Sequence, residues 1–426
     1  MSTAKKSNLL AIIVMILLFG MISFVTNLAS PMGDVLKNQF QVANWMGTLG
    51  VFANFIAYAC MGIPAGNLLQ KRGYKFTALA AVAVGFTGVG IQTLAGLIEG
   101  DTAFGVYLLG AFIAGFSMCM LNIVVNPMLN KLAGGGNQLL QVGGSFNSLM
   151  GTAVIFLTGV FVPSIADAKI EQVFPLMFIA LAIFAVAFIV ILFTDIPESK
   201  SEAKIEEKKS NIGPMSFRHF MLGAIAIFIY VGVEVGIPNV LQKWLQNGGL
   251  SVETGAEGIA ATVAATYWLL MFFGRLLGAA LGAKISAKSM LSAVSVLGLG
   301  LVLGAMFLNP TNSVNLPVFM GTEGFGVANV PVNAALLVLC GLCTSVMWGG
   351  IFNLAVEGLG KYTEKASGIF MALVCGGGIL PLLQNFVVDL SGSYLTSYWV
   401  IVAGLAYLLF YALVGSKNVN KDIPTE

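Results

Sequence analysis

Residues Pro197-Glu-Ser-Lys-Ser-Glu-Ala-Lys-Ile-Glu-Glu-Lys-Lys-Ser-Asn-Ile-Gly-Pro-Met-Ser-Phe-Arg218 are the only long charge-rich stretch of the chain, with Glu198, Glu202, Glu206 and Glu207 interleaved among lysines. On each side lie six apolar runs, each near the length of about twenty residues that a helix needs to cross a bilayer. The first six are Leu9 to Leu28, Trp45 to Leu69, Phe76 to Ile98, Phe104 to Met128, Leu139 to Val162 and Phe174 to Phe193. The second six are Met221 to Leu245, Ile259 to Ala283, Met290 to Leu308, Val332 to Val356, Ile369 to Val388 and Tyr398 to Val414. The expected fold is therefore an all-α membrane protein of twelve transmembrane helices in two pseudo-symmetric six-helix bundles. Residues 1–196 form the first bundle, 197–218 a solvated linker, 219–415 the second bundle and 416–426 a tail.

Composition supports this reading. The chain of 426 residues is 58% hydrophobic and 9% charged, with mean hydropathy +0.91, whereas a soluble domain is about a quarter charged. A formal charge of +2, without a free cluster of Lys and Arg, excludes a phosphate-binding surface and hence a nucleic-acid partner. Cys60, Cys119, Cys340, Cys343 and Cys375 all fall in apolar runs, where a thiol packs as a small hydrophobe. No metal site is expected, because Cys340 and Cys343 have no second pair and the single histidine, His219, is remote. One histidine also supplies no cluster of nucleophile, base and orienting group, so the chain does not read as an enzyme. The apolar stretch after Lys5 and Lys6 is too long for a signal peptide and is followed by no cleavage pattern, so it reads as the first membrane helix.

Positive residues stay on the cytoplasmic side of short loops. With the N-terminus inside, every Lys and Arg except Lys37, Lys169 and Lys243 falls on that side, which puts both termini in the cytoplasm and those three in outer loops. The expected location is the inner membrane. The outer loop from Asn309 to Asn329 reads equally as an ordered cap or an irregular loop.

Several residues carry chemistry. Glu234 lies in the middle of the apolar run Ile229 to Ile237, where a carboxylate needs a cavity or a partner; a purely structural, hydrogen-bonded glutamate is the alternative. Asp34 follows Asn27 by seven residues, so both share a face if the first helix continues through Pro31; if Pro31 ends it, Asp34 is a solvated loop charge. Arg275, in the eighth run, either snorkels to the interface or serves a gate or ion pair. Asn54, Asn122, Asn126, Asn147, Asn239, Asn353, Gln384 and Asn385 sit in otherwise apolar helices and need partners there. Together they describe a cavity of neutral hydrogen-bonding groups suited to hydroxyls. Tyr267, Trp268 and Trp348 offer rings for the apolar side of a pyranose or, equally, for packing. Small-xxx-small spacings at Gly62 and Gly66 and at Gly274, Gly278 and Gly282, with Gly376-Gly-Gly378 in the eleventh run, permit close helix approach.

The order and spacing of several segments resemble the fucose permease and glucose/galactose transporter family of the major facilitator superfamily. They are Gly62-Ile-Pro-Ala-Gly66 with Lys71-Arg-Gly-Tyr-Lys75; Asn126-Pro127; Gly144-Ser-Phe-Asn-Ser148; Tyr230-Val-Gly-Val-Glu234; Tyr267-Trp268 with Gly274-Arg275; Ile351-Phe-Asn-Leu354 with Gly358-Leu-Gly360; and Gly376-Gly-Gly378 with Pro381-Leu-Leu-Gln384. The resemblance implies a sugar site between the halves and an acidic proton-coupling residue late in the first helix, the position of Asp34. It also implies that Asn147 and Gln384 match family amides, and that Lys71 and Gly73 belong to the gating loop between the second and third helices. That loop has Gln70 where an acidic residue is usual. Two further positions depart from fucose permease: Asn122 stands for a membrane carboxylate and Gly144 for a glutamine.

The reading that follows is a cation-coupled importer of a small hexose or deoxyhexose, with a proton preferred to sodium and no cofactor. Ion coupling falls to Asp34 and Glu234; sugar binding to Asn27, Asn122, Asn147, Glu234, Trp268, Asn353 and Gln384; gating to Lys71, Gly73 and Arg275. Its partners are the sugar and the lipid bilayer, and the expected state is a monomer. An efflux carrier for a metabolite or drug and a non-transporting sugar sensor are the rival readings.

Overall fold

The computed structural model describes residues 3–132, 138–162, 168–197, 213–250, 256–282, 284–319, 325–420 and 423. The charged stretch that separates the two halves falls largely outside them, as does the end of the tail. Among the described residues, eleven helices are long and apolar enough to cross a membrane. One of these, Leu49–Ala95, has 47 residues and would reach about 70 Å at 1.5 Å per residue, more than twice the thickness of a bilayer core. It divides at Gly73, whose φ of 79° and ψ of 179° lie in a region open essentially to glycine alone. Counting it as α2 (49–72) and α3 (74–95) gives twelve spans. The others are α1 (Thr3–Phe40), α4 (Thr102–Leu132), α5 (Gln138–Phe161), α6 (Phe174–Phe193), α7 (Arg218–Trp244), α8 (Ala256–Leu281), α9 (Ala287–Phe307), α10 (Val332–Val356), α11 (Lys365–Ser391) and α12 (Leu395–Gly415).

Close approaches at small residues fix the packing, since without water between the helices their contact rests on fit. In the first half Gly20 of α1 abuts Phe146 of α5, Gly115 of α4 abuts Asn54 of α2, and Gly85 of α3 abuts Phe184 of α6. In the second half Gly376 of α11 abuts Phe228 of α7, Gly341 of α10 abuts Tyr267 of α8, and Gly298 of α9 lies on Leu405 of α12. Adding six to each helix number turns the first set of pairings into the second. The contacts between the halves obey the same rule: α2 meets α11 where Gly62 faces Ala372, and α5 meets α8 where Gly144 faces Arg275. The outer flanks of α6 and α9 carry Phe178, Ile189, Phe193, Val296 and Leu297 exposed, as lipid-facing surfaces do.

Two alternatives left open by the sequence are decided by the structure. The first helix does not stop near Leu28 or at Pro31; α1 continues to Phe40 with Pro31 inside it, and Asp34 is buried rather than a loop charge. A two-stranded antiparallel sheet also stands among the helices. Ser313–Phe319 (β1) pairs with Phe325–Pro331 (β2), Ser313 opposite Pro331, so the 309–329 segment is an ordered hairpin whose residues 320–324 lie outside the described set. Val318, Ala328 and Val330 are buried while Val327 is 65% exposed, so one face of the hairpin packs against the protein and the other is free. Below, the ends of the bundle nearest this sheet are the hairpin face and the opposite ends, including the Gly73 turn, are the linker face.

Candidate functional site

A cavity of about 140 Å³ lies between the halves. From the first half, α1 contributes Ser23, Thr26, Asn27 and Ser30, α2 Tyr58, α4 Asn122 and α5 Gln141 and Asn147. From the second, α7 contributes Glu234, Asn239 and Gln242, α8 Trp268 and Arg275, and α10 Ser345 and Trp348. The charged centre of this wall is a 3.2 Å ion pair between Arg275 Nη2 and Glu234 Oε1. Arg275 Nη1 donates across the interface to the Gly144 carbonyl oxygen and, at 2.9 Å, to Ser148 Oγ of α5. The arginine therefore neither snorkels nor stands free; it satisfies Glu234 and ties α8 to α5. A pair buried this far is tolerable because several hydrogen bonds accompany it.

The amides around the pair are held in place by the helices. Asn147 Nδ2 donates to the Phe19 carbonyl at 2.8 Å, and Asn122 Nδ2 donates to Tyr58 Oη at 3.0 Å and to the Met118 carbonyl at 3.1 Å. Asn27 Nδ2 is bound to Ser23. All three side chains line the cavity, where an amide can form further hydrogen bonds with a ligand. Trp268 stands on edge to Tyr267, with ring centroids 5.5 Å apart. Tyr267 itself turns to α10, its hydroxyl 2.8 Å from Thr344 Oγ1, so of the three rings expected at the sugar only Trp268 and Trp348 line the cavity, together with Phe19, Phe55 and Tyr58.

A second chamber of about 460 Å³ opens toward the linker face and shares Asn122, Leu140 and Trp348 with the first. Lys71, Gly73 and Asn353 line it. Asn353 is thus placed one chamber away from the other residues expected to bind substrate. Gln384 is on neither wall: it is fully buried in α11, with its amide against Gly236 of α7. Sequence alone groups these two with the others, because a polar residue in an apolar helix does not show which way it points.

On the hairpin face the halves are sealed by a polar network. Asp34 Oδ2 accepts from Gln242 Nε2 at 3.3 Å and from Gln246 Nε2 at 3.4 Å. Asn239 reaches Ser30 Oγ at 3.4 Å, and Asp389 of α11 accepts from Asn44 Nδ2 at 2.9 Å and from the Trp45 backbone N–H at 3.2 Å. Lys243 corrects the reading of the outer loops. It is 3% exposed, donating to Thr48 Oγ1 at 2.8 Å and Asn385 Oδ1 at 3.0 Å. Asn239 and Gln242 on the last turns of α7 and Gln246 just beyond it recur at helical spacing, a signal that marks a polar face. Gln242 belongs to both regions, touching the cavity and Asp34.

A twelve-span bundle with this repeat of pairings and a polar cavity between its halves defines a membrane transporter. The chain belongs to the Major Facilitator Superfamily, whose family description it matches over residues 10–381. It is similar to a glucose/galactose transporter of Brucella abortus biovar 1 (strain 9-941), at 28% identity over 98% of this chain and 97% of that one. It is also similar to the L-fucose-proton symporter of Escherichia coli (strain K12), at 23% identity over 93% and 92% of the two chains. Among solved structures, the transporter FucP in its outward conformation superposes with a TM-score of 0.72 at 21% identity, covering 97% of this chain and 100% of that one.

Proposed function

We propose that this protein imports a hexose or deoxyhexose by cation-coupled symport across the bacterial inner membrane, as a monomer, with a proton as the preferred coupling ion. The observation that carries the reading is the central cavity: neutral amides and hydroxyls ring a single carboxylate–guanidinium pair, and two indoles flank it. Such a wall offers donors and acceptors to hydroxyls and an apolar face to a pyranose, with no net charge to attract an ion as cargo. The names of the relatives support the same substrate class.

In this reading residues 1–196 and 219–415 rock about the cavity, the hairpin face is periplasmic and the linker face cytoplasmic. The sugar binds among Asn27, Asn122, Asn147, Glu234 and Trp268. Asn353, Lys71 and Gly73 line its exit, and Arg275 is the clasp between α8 and α5. Asp34, beyond the cavity roof, binds the cation, and Gln242 links it to the sugar chamber. Coupling follows if the hairpin face closes readily only when sugar and cation are both bound.

The test is uptake of labelled glucose, galactose and fucose into proteoliposomes under imposed proton or sodium gradients. Accumulation of one sugar with one gradient, abolished by Asp34→Asn, is expected. No uptake of any of them moves the assignment to efflux of another solute, and full uphill uptake by Asp34→Asn removes Asp34 from the coupling site.

A further inference from the structure

The seal on the hairpin face contains a cation of its own. The Lys243 ammonium has three donors, and acceptors from both halves meet them: Thr48 Oγ1 at 2.8 Å, Asn385 Oδ1 at 3.0 Å and the Asn44 carbonyl oxygen at 3.4 Å. Thr48 and Asn44 belong to the first half, whereas Asn385 and Lys243 belong to the second, so this coordination exists only while the face is closed. The charged groups facing it are Asp34 and Lys37 of α1 and Asp389 of α11, with Tyr394 beyond α11 within reach of both carboxylates. Two carboxylates and two ammonium groups balance. A coupling cation added at Asp34 leaves the closed face with one uncompensated positive charge, which is costly in a buried setting.

We infer that Lys243 is a tethered counter-cation that competes with the coupling cation for Asp34 and empties that site when the hairpin face closes. The inference rests on the assignment of Asp34 proposed above. With the face open, Lys243 is withdrawn from Thr48 and Asn44 and the external cation takes Asp34. On closure the ammonium re-enters the field of Asp34, and the cation departs toward the cavity past Gln242, which touches both. For a proton the bond broken is the carboxyl O–H of Asp34, and water in the chamber receives the proton. Closure on the cation alone is penalised, so a sugar must be bound to offset the cost, and slippage without sugar is suppressed.

The experiment compares wild type, Lys243→Met and Lys243→Arg in proteoliposomes, measuring uphill accumulation and sugar counterflow, which needs no net cation release. The expected result for Lys243→Met is a ratio of uphill accumulation to counterflow lowered about tenfold or more, the scale of breaking a buried charge pair, with the ratio restored by Lys243→Arg. An unchanged ratio in Lys243→Met overturns the inference. Should Lys243→Met lose counterflow as well, Thr48→Val, which removes one acceptor and leaves the charge, carries the test: a lowered ratio supports the inference and an unchanged one overturns it. Asp34→Asn run in parallel separates the two claims. If it loses uphill transport while Lys243→Met does not, only the lysine's role fails; if it transports uphill like wild type, the assignment of Asp34 itself fails.

Discussion

Arg275 and Glu234 form an ion pair that is internal to the second half, yet the same guanidinium clasps the Gly144 carbonyl and Ser148 of the first. Removing the arginine therefore does two kinds of damage. Arg275→Ala strands a buried carboxylate, a change that costs about 3–5 kcal/mol when one partner of a buried pair is deleted. The expected outcome is a lower unfolding temperature in detergent, followed by intrinsic fluorescence. Arg275→Lys keeps the charge but not the fork that serves Glu234 and α5 together, so its melting point falls between those of Arg275→Ala and wild type.

Glu234→Gln tests the other end of the pair. A hydrogen bond to a carboxylate is worth about 1.5–3 kcal/mol and one to a neutral amide oxygen about 0.5–1.5, so removing the charge costs about 1–1.5 kcal/mol of interaction with a sugar hydroxyl. Titration calorimetry with the transported sugar is expected to show affinity weakened about tenfold. Affinity equal to wild type places Glu234 outside the sugar's reach.

The neck between the chambers gives a kinetic prediction. Leu140 lines both chambers beside Asn122 and Trp348, so Leu140→Trp fills the passage with a bulkier ring. Sugar binding is expected to persist while counterflow slows several-fold. Stopped-flow fluorescence and tracer exchange measure the two separately.

Glycine packing predicts a contrast along helices of similar composition. A Cβ added at Gly376 would overlap the Phe228 carbonyl of α7, a backbone atom that cannot swing away, whereas one added at Gly66 meets nothing within 4 Å. Gly376→Ala is expected to yield little folded protein on size-exclusion chromatography, and Gly66→Ala to elute as wild type does.

What could be read in the sequence follows from locality. The twelve spans were legible because each is a contiguous apolar run, and Glu234 and Asp34 stood out because a carboxylate in such a run is expensive. The partnership of Glu234 with Arg275 was not, since it joins residues 41 apart through the angle between two helices. Sequence puts Lys243 on the outer side because it sits at the outer end of the seventh run, two residues before Leu245; its acceptors Thr48 and Asn385, which reveal its burial, lie 195 and 142 residues away. Gln384 was read as a sugar ligand for the converse reason, because a polar type in an apolar helix does not reveal whether it faces a cavity or a neighbouring glycine. The hairpin carried a local signal in the alternation of Ser313-Val314-Asn315-Leu316, overshadowed by the helical periodicity on both sides.

That hairpin gives the molecule an arm that rests on α8 and α10, and Val327 points its side chain away from the body of the protein. Because the strands are seated on helices of the second half, a probe attached there is carried by that half as a lever carries its tip. Paired with a second probe just beyond the hairpin-face end of α3, such as exposed Leu97, it would convert the rocking proposed above into a distance that rises and falls once in each transport cycle. The turnover of a protein otherwise immersed in lipid can then be followed by energy transfer, one molecule at a time.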